Sequence, residues 1–329
     1  MQHPLFKSVL FIFTLSFLVS CFESVKPDLE SEEGIRSALN QNPVDPEALH
    51  ARAKLFLKTQ KADSAVYDML LALEQDSSKA EYFVTLADAY LVINQTRYTR
   101  NALEKAIRLD PENKDAHMKL AELYLYVEMR QDAINEINEV LKRDKTNPKA
   151  YYLKGIIYKE SGDTALAISS FMTTVEQDPK YLSAYEQLGL VFASAHNPRA
   201  IDYYNTAIRL NPNNALTRYN LGIFYQEHDE PEKAIQVYND LLKVDPSFAN
   251  ANYNLGYLEI EMNQDYSKAL PHFEAAARNN PNYAAAVYMQ GVCMEKTGKP
   301  AAAADLYTKA LKIDPRFELA QEGLKRLGK

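Results

Sequence analysis

The residues able to do chemistry are few, and their spacing does not suit catalysis. The six histidines, His3, His50, His117, His196, His228 and His272, never fall at i, i+3 or i, i+4, the spacings that set two imidazoles on one helix face around a metal. No HExxH, GxSxG, Walker loop or dinucleotide fingerprint occurs. Asp and Glu are plentiful but fall mostly on the outward positions of helical patterns, where they make a solvated surface. An enzyme would have to assemble its site from distant segments. The expectation is therefore a protein without catalytic activity, metal or cofactor. With 37 Lys+Arg against 44 Asp+Glu the formal net charge is -7, and no segment gathers positive charge on one face. Such a surface repels a polyanion, so nucleic acid is not an expected partner.

The two cysteines, Cys21 and Cys293, differ in setting. Lys7 precedes an apolar run from Val9 to Val19, which is too short to span a bilayer and reads as a targeting segment. The run ends at Leu18-Val19-Ser20-Cys21, which resembles the lipobox of bacterial lipoproteins. That resemblance implies a signal peptide over residues 1–20, cleavage before Cys21 and lipid attachment to Cys21. Acyl chains contribute about 0.8 kcal/mol per buried CH₂, so several of them hold a folded body at a membrane. Residues 21–29 are rich in acids and read as a solvated tether. Phe22 lacks the aspartate associated in enteric bacteria with inner-membrane retention, which points to the cell envelope and to the outer membrane. Cys293 is left without a partner and reads as a small buried hydrophobe.

The elements that would carry any site repeat along the chain. Asp-Pro or Asn-Pro pairs end at Pro111, Pro179, Pro212, Pro246, Pro281 and Pro315. The last five lie 33, 34, 35 and 34 residues apart, and Pro111 to Pro179 is twice 34, with Lys145 in the middle slot. Eight units align: 46–79, 80–113, 114–147, 148–181, 182–214, 215–248, 249–283 and 284–317. Position eight is always small: Ala53, Ala87, Ala121, Gly155, Gly189, Gly222, Gly256 and Gly291. Position twenty is Ala in every unit except Thr99. Paired small residues mark a close helix crossing inside each hairpin. Large residues recur at positions eleven and twenty-four, the latter Phe171, Tyr204, Tyr238, Phe273 and Tyr307, and are read as filling the space between neighbouring hairpins.

This period and these positions resemble the tetratricopeptide repeat. The resemblance implies an all-α fold, a right-handed α-solenoid of eight helical hairpins. A half-repeat over 30–45 and a helix over 318–329 would cap its ends with polar faces. Two units depart from the period. The fifth is one residue short around Asn197-Pro198, which suggests a tightened turn. The seventh is one residue long and puts Glu259 at position eleven. There a longer turn at Asn263-Gln264-Asp265 is expected in preference to a π-bulge that would rotate Ile260 inward.

In tetratricopeptide proteins the first helices line a concave groove with positions two, five, nine, twelve and thirteen. Here the first half of that stripe is charged or mixed, with Glu47, His50, Lys54, Glu81, Asp88, Asp115, Met118 and Glu122. From the fourth unit it turns aromatic and aliphatic: Tyr152, Ile156, Leu190, Tyr219, Ile223, Tyr253, Tyr257, Tyr288 and Val292, with Asn220 and Asn254 beside it. Tyrosine offers contact area at small entropy cost, and an asparagine amide can grip a peptide backbone. The expected partner is a protein or an extended peptide segment, gripped at positions that face solvent. The lysines and arginine of a carboxylate clamp are missing from this stripe. The organisation resembles envelope tetratricopeptide lipoproteins that serve hydrolases, proteases, secretion systems or pilus secretins. That resemblance implies a scaffold or adaptor, with a permanent structural subunit of such a machine as the alternative and an enzyme of unrecognised type behind both.

Overall fold

The computed structural model describes residues 28–329, so Cys21, the segment before it and most of the tether lie outside the described residues. Eighteen α-helices and no strand occur among the described residues, and none of these helices is long and apolar enough to cross a membrane. The chain groups into two compact units, one ending at Ala116 and one beginning at His117. The first holds α1 (Glu32–Gln41), the hairpin of α2 (Pro46–Lys58) and α3 (Ala62–Gln75), and that of α4 (Ala80–Val92) and α5 (Thr96–Leu109). The boundary falls within α6 (Lys114–Tyr126), which is followed by α7 (Arg130–Arg143). The second unit continues with α8 (Pro148–Glu160) and α9 (Thr164–Gln177), α10 (Leu182–Ser194) and α11 (Arg199–Leu210), and α12 (Ala215–Glu227) and α13 (Pro231–Val244). Then come α14 (Ala249–Asn263) and α15 (Tyr266–Asn279), α16 (Ala284–Lys296) and α17 (Pro300–Ile313), and α18 (Glu318–Arg326). Each unit is a run of tetratricopeptide-type solenoid: α1 to α5 in the first and α7 to α18 in the second each pack on their neighbours in sequence.

Local chemistry sets the helix ends. Asp45, Asn147, Asp163, Asn214 and Asp265 accept an amide of the first turn through their side chains, and Pro46, Pro148, Pro231 and Pro300 stand where no amide partner exists. First helices stop at a residue in the left-handed region: Gln60, Asn94, Glu128, Gly162, His196, Asp229, Gln264 or Gly298. The carbonyl at position eleven then accepts the amide that opens the next helix, as in Lys61 to Phe56 at 2.8 Å and Asp163 to Tyr158 at 2.8 Å. Second helices end at an Asp or Asn whose Oδ1 accepts the amide two residues on, for example Ser247 to Asp245 at 2.9 Å and Arg316 to Asp314 at 3.0 Å. This Asx turn spans the proline, which has no amide to lose, and is the physical content of the repeated Asp-Pro signal.

Both irregular units keep these closures. In the fifth, the left-handed His196 stands where its counterparts do, but Ala200 bonds back three residues to Asn197 where Ala65 bonds back four to Lys61. The missing residue is thus lost from the start of α11, at Pro198. In the seventh, the expected longer turn is not found. The extra residue and one residue of the turn both join α14, which has fifteen residues against thirteen in α12, and only Gln264 and Asp265 separate it from α15. The Glu259 carbonyl still closes the turn from Asp265 and also accepts the Gln264 amide in an i to i+5 bond, and Ile260 packs on the Ala269, Phe273 and Cys293 cluster. These are the two features of the π-bulge alternative, although α14 stays α-helical to Asn263. Continuing a helix by one residue satisfies one more backbone pair, which a longer loop would leave to water.

The core explains the small positions. Gly155 lies under Phe171, Gly189 under Tyr204, Gly222 under Tyr238, Gly256 under Phe273 and Gly291 under Tyr307, each so close that a Cβ would overlap the ring. All five rings are buried. Position-twenty-four rings therefore sit inside their own hairpin, and the expectation that they only fill the gap between hairpins is corrected. Where position eight is alanine the partner shrinks to an aliphatic side chain, Met69 opposite Ala53, Leu103 opposite Ala87 and Ile137 opposite Ala121, all buried. Volume is conserved across the crossing. Gly222→Leu should therefore destabilise the second unit by on the order of 1–3 kcal/mol or more. Hydrogen exchange should rise in α10 to α15 and stay low in α2 to α5; an equal rise in both would mean that the chain unfolds as one block.

Candidate functional site

The aromatic stripe of the second unit is the candidate site. Position five of α8, α12, α14 and α16 carries Tyr152, Tyr219, Tyr253 and Tyr288, one helical turn before the position-eight glycine. Each tyrosine lies between two other rings. Tyr152 meets Phe171 at 5.8 Å and Tyr181 at 5.0 Å, and Tyr219 meets Tyr238 at 6.0 Å and Phe248 at 5.1 Å. Tyr253 meets Phe273 at 5.5 Å and Tyr283 at 5.0 Å, and Tyr288 meets Tyr307 and Phe317, both at 5.4 Å. One partner comes from the hairpin's own second helix and the other from its last residue, so the lattice repeats with the chain. In α10 the position is Glu186, and its carboxylate accepts from Asn214 at 2.6 Å and Thr217 at 3.0 Å. A hydrogen-bonded link there replaces the ring contact.

These tyrosines are half-buried, so the expectation that the groove positions simply face solvent is corrected. One face of each ring serves packing and one edge serves the groove. Burial pushes the hydroxyls of Tyr152, Tyr219 and Tyr253 upward, and for Tyr219 hydrogen bonds to Asn254 and Asn250 oppose the shift. They stay protonated at neutral pH and present donors. Ile156 and Val292 are half-buried against the clusters around Phe171 and Tyr307, and Ile223 is half-buried on α12. Leu190 is 39% exposed and Tyr257 42% exposed. Leu216, at position two of α12, is 59% exposed and joins the stripe. The same spacing rule would have found it.

The two asparagines separate in role. Asn254 donates to the Tyr238 hydroxyl at 2.9 Å, which in turn donates to Gln226 at 3.1 Å, so its amide is a staple between adjoining hairpins. The half-buried side chain of Asn220 has no hydrogen-bond partner among the described residues. At the end of the stripe Arg326 of α18 pairs with Glu295 at 3.2 Å, and Tyr307 donates to the same carboxylate. Cys293 is fully buried, and burial raises its thiol to about 12, which keeps it inert.

The first unit presents different chemistry. A cavity of about 640 Å³ is lined by His50, Lys54, Lys58 and Lys79 with Glu47 and Tyr82. Lys79 donates to Glu47 at 2.9 Å and to the Tyr82 hydroxyl at 3.3 Å. The His50 ring lies 4.7 Å from Tyr82, and its Nε2 meets the Thr85 hydroxyl at 2.9 Å. Among the described residues no group of three or more His, Cys, Asp or Glu could hold a metal ion.

The chain carries tetratricopeptide repeats. Tetratricopeptide models match residues 148–181, 203–236 and 262–316. A solved structure of the C-terminal part of a TPR repeat-containing protein from Cytophaga hutchinsonii is 20% identical with a TM-score of 0.64, over 72% of this chain and 98% of that one. A tetratricopeptide protein from Parabacteroides merdae is 17% identical with a TM-score of 0.53, over 77% of this chain and 100% of that one. At these identities the likeness is one of fold. No curated protein matches the chain.

Burial, reinforced by the ammonium groups of Lys54 and Lys79, pushes His50 down to about 4. Below about pH 6.5 the unfolded chain takes up a proton that the folded chain refuses until about pH 4. The stability that His50 supplies by staying neutral, up to about 3 kcal/mol, is present above the upper value and lost as pH falls through this window. Urea unfolding of the first unit at about pH 7 and about pH 5 should show this loss, and His50→Gln should shrink it. An identical pH dependence in the variant would rule His50 out as its source.

Proposed function

We propose that this protein is a membrane-anchored adaptor of the bacterial cell envelope, held by lipid on Cys21 at the outer membrane, which captures a segment of another protein along the stripe of α8 to α16. The observation that carries the reading is the apolar and tyrosine stripe on consecutive first helices, with exposed Leu190, Leu216 and Tyr257 beside half-buried Tyr219, Tyr253 and Tyr288. Contiguous exposed apolar surface is uncommon on a soluble domain, and tyrosine is enriched where partners dock. The Asn220 amide and the tyrosine hydroxyls supply donors suited to a peptide backbone without selecting its side chains. A permanent subunit of an envelope machine would use the same surface, and fixed stoichiometry on purification would distinguish it from an adaptor.

The anchor is tested on its own. Cys21→Ser should abolish fatty-acid labelling and release the folded body from membranes; labelled lipid on the variant overturns the assignment. Docking is tested by cross-linked capture from native membranes. Leu190→Ala, Leu216→Ala and Tyr257→Ala remove exposed groups outside the ring lattice, and each should weaken capture by roughly 1–2 kcal/mol, about tenfold, without unfolding the chain. Tyr253→Ala also strips Phe273 and Tyr283 of their ring neighbour, so its effect on capture is read only beside its unfolding midpoint. The control, Glu81→Ala with Glu122→Ala, should leave capture unchanged. Normal capture by the stripe variants and its loss in the control would move the docking surface to the first half.

A further inference from the structure

A pair of imidazoles meets where two consecutive hairpins turn. His196 ends α10 in the left-handed region at φ 50, and His228 caps α12. Their ring centroids lie 5.3 Å apart, with the planes tilted by 50°. Behind His228, Phe224 stacks at 3.9 Å and fixes the ring from one side. The contact follows from the repeat: the left-handed position of one hairpin adjoins the cap position of the next. The same slots hold Gln60 with Ile93 and Gly162 with Ala195, so here both residues are potential metal ligands.

The hydrogen bonding of His228 engages one ring nitrogen and leaves the other without a partner. Its Nδ1 lies 2.7 Å from the Phe224 carbonyl oxygen. A carbonyl can only accept, so Nδ1 carries the proton and Nε2 carries the lone pair. That Nε2 is buried and has no hydrogen-bond partner. A buried, unpaired acceptor is costly and uncommon in a native fold. A backbone carbonyl that orients one imidazole nitrogen and frees the other is the arrangement found around metal-bound histidines. Two imidazoles bonded to one ion at about 2.0–2.1 Å hold their centroids on the order of 5 Å apart, which is the separation observed.

We propose that His196 and His228 form a two-imidazole site for a late first-row divalent ion of the zinc class, with solvent completing its coordination. Imidazole nitrogen selects zinc, copper or nickel over magnesium and calcium. His196 is exposed while the His228 Nε2 is buried, so an ion between them meets solvent on the His196 side, where a carboxylate or histidine of a docked protein could reach it.

The experiment uses the untagged full chain carrying His3→Ala, freed of metal, and Zn²⁺ as the probe. Zinc is titrated against a chromophoric chelator while long-range ¹H–¹⁵N spectra follow the histidine ring nitrogens. One equivalent should bind and move the signals of His196 and His228, leaving those of His50, His117 and His272 in place. His196→Gly and His228→Phe should each weaken binding by more than about tenfold. Glycine stands at the matching positions 162 and 298, and phenylalanine keeps a ring on Phe224, so both variants should retain the wild-type circular dichroism. Zinc bound equally well by the double variant, or shifts confined to the other histidines, would overturn the site. So would the absence of any ring-nitrogen shift at a saturating excess of zinc.

Discussion

A ring at position twenty-four needs a first helix that has no Cβ at position eight, and from the fourth hairpin onward the architecture rests on that contact. Phe171, Tyr204, Tyr238, Phe273 and Tyr307 each lie on a glycine backbone inside their own hairpin. Tyr307 also closes on Gly323 of α18, so one ring joins a hairpin to the helix after it. Truncating a buried ring of this size costs about 3–5 kcal/mol, more than any surface ion pair in the chain could contribute. The alanine hairpins carry smaller partners: buried Met69, Leu103 and Ile137 stand in the first three where the later hairpins have rings.

The groove inherits its character from this contact. A ring laid on glycine offers its other surface to the position-five side chain, and Tyr152, Tyr219, Tyr253 and Tyr288 pack there. The stripe read as a docking surface is thus also the outer layer of the core. That double duty favours tyrosine, whose ring is apolar and whose hydroxyl needs a partner or water. It also makes the stripe rigid before anything docks, and a rigid surface loses less entropy on binding. Asn254 shows the cost of reading such a surface residue by residue, because its amide holds Tyr238 in place.

Charge works differently in the first unit. His50 sits beside two ammonium groups and stays neutral because burial makes its own charge unfavourable. Arg52 reaches the buried carboxylate of Asp68 with two hydrogen bonds, at 2.7 and 2.8 Å, so the buried acid has a partner for both oxygens. Polar groups buried there are held by named partners, whereas the second unit relies on rings.

By itself the sequence determined the fold class, because a 34-residue period with small residues at position eight admits only stacked helical hairpins. It also located the aromatic stripe, since position along a helix determines which side chains share a face. Contacts between elements are a different matter. Which neighbour a position-twenty-four ring covers depends on how two helices cross, and no spacing rule within one helix contains that. The extra residue near Glu259 could lengthen a turn or a helix, and backbone hydrogen bonding in place decided for the helix. His196 and His228 lie in separate hairpins, so a search at helical spacing passes over them. Only the stacking of one turn on the next brings the two rings to 5.3 Å.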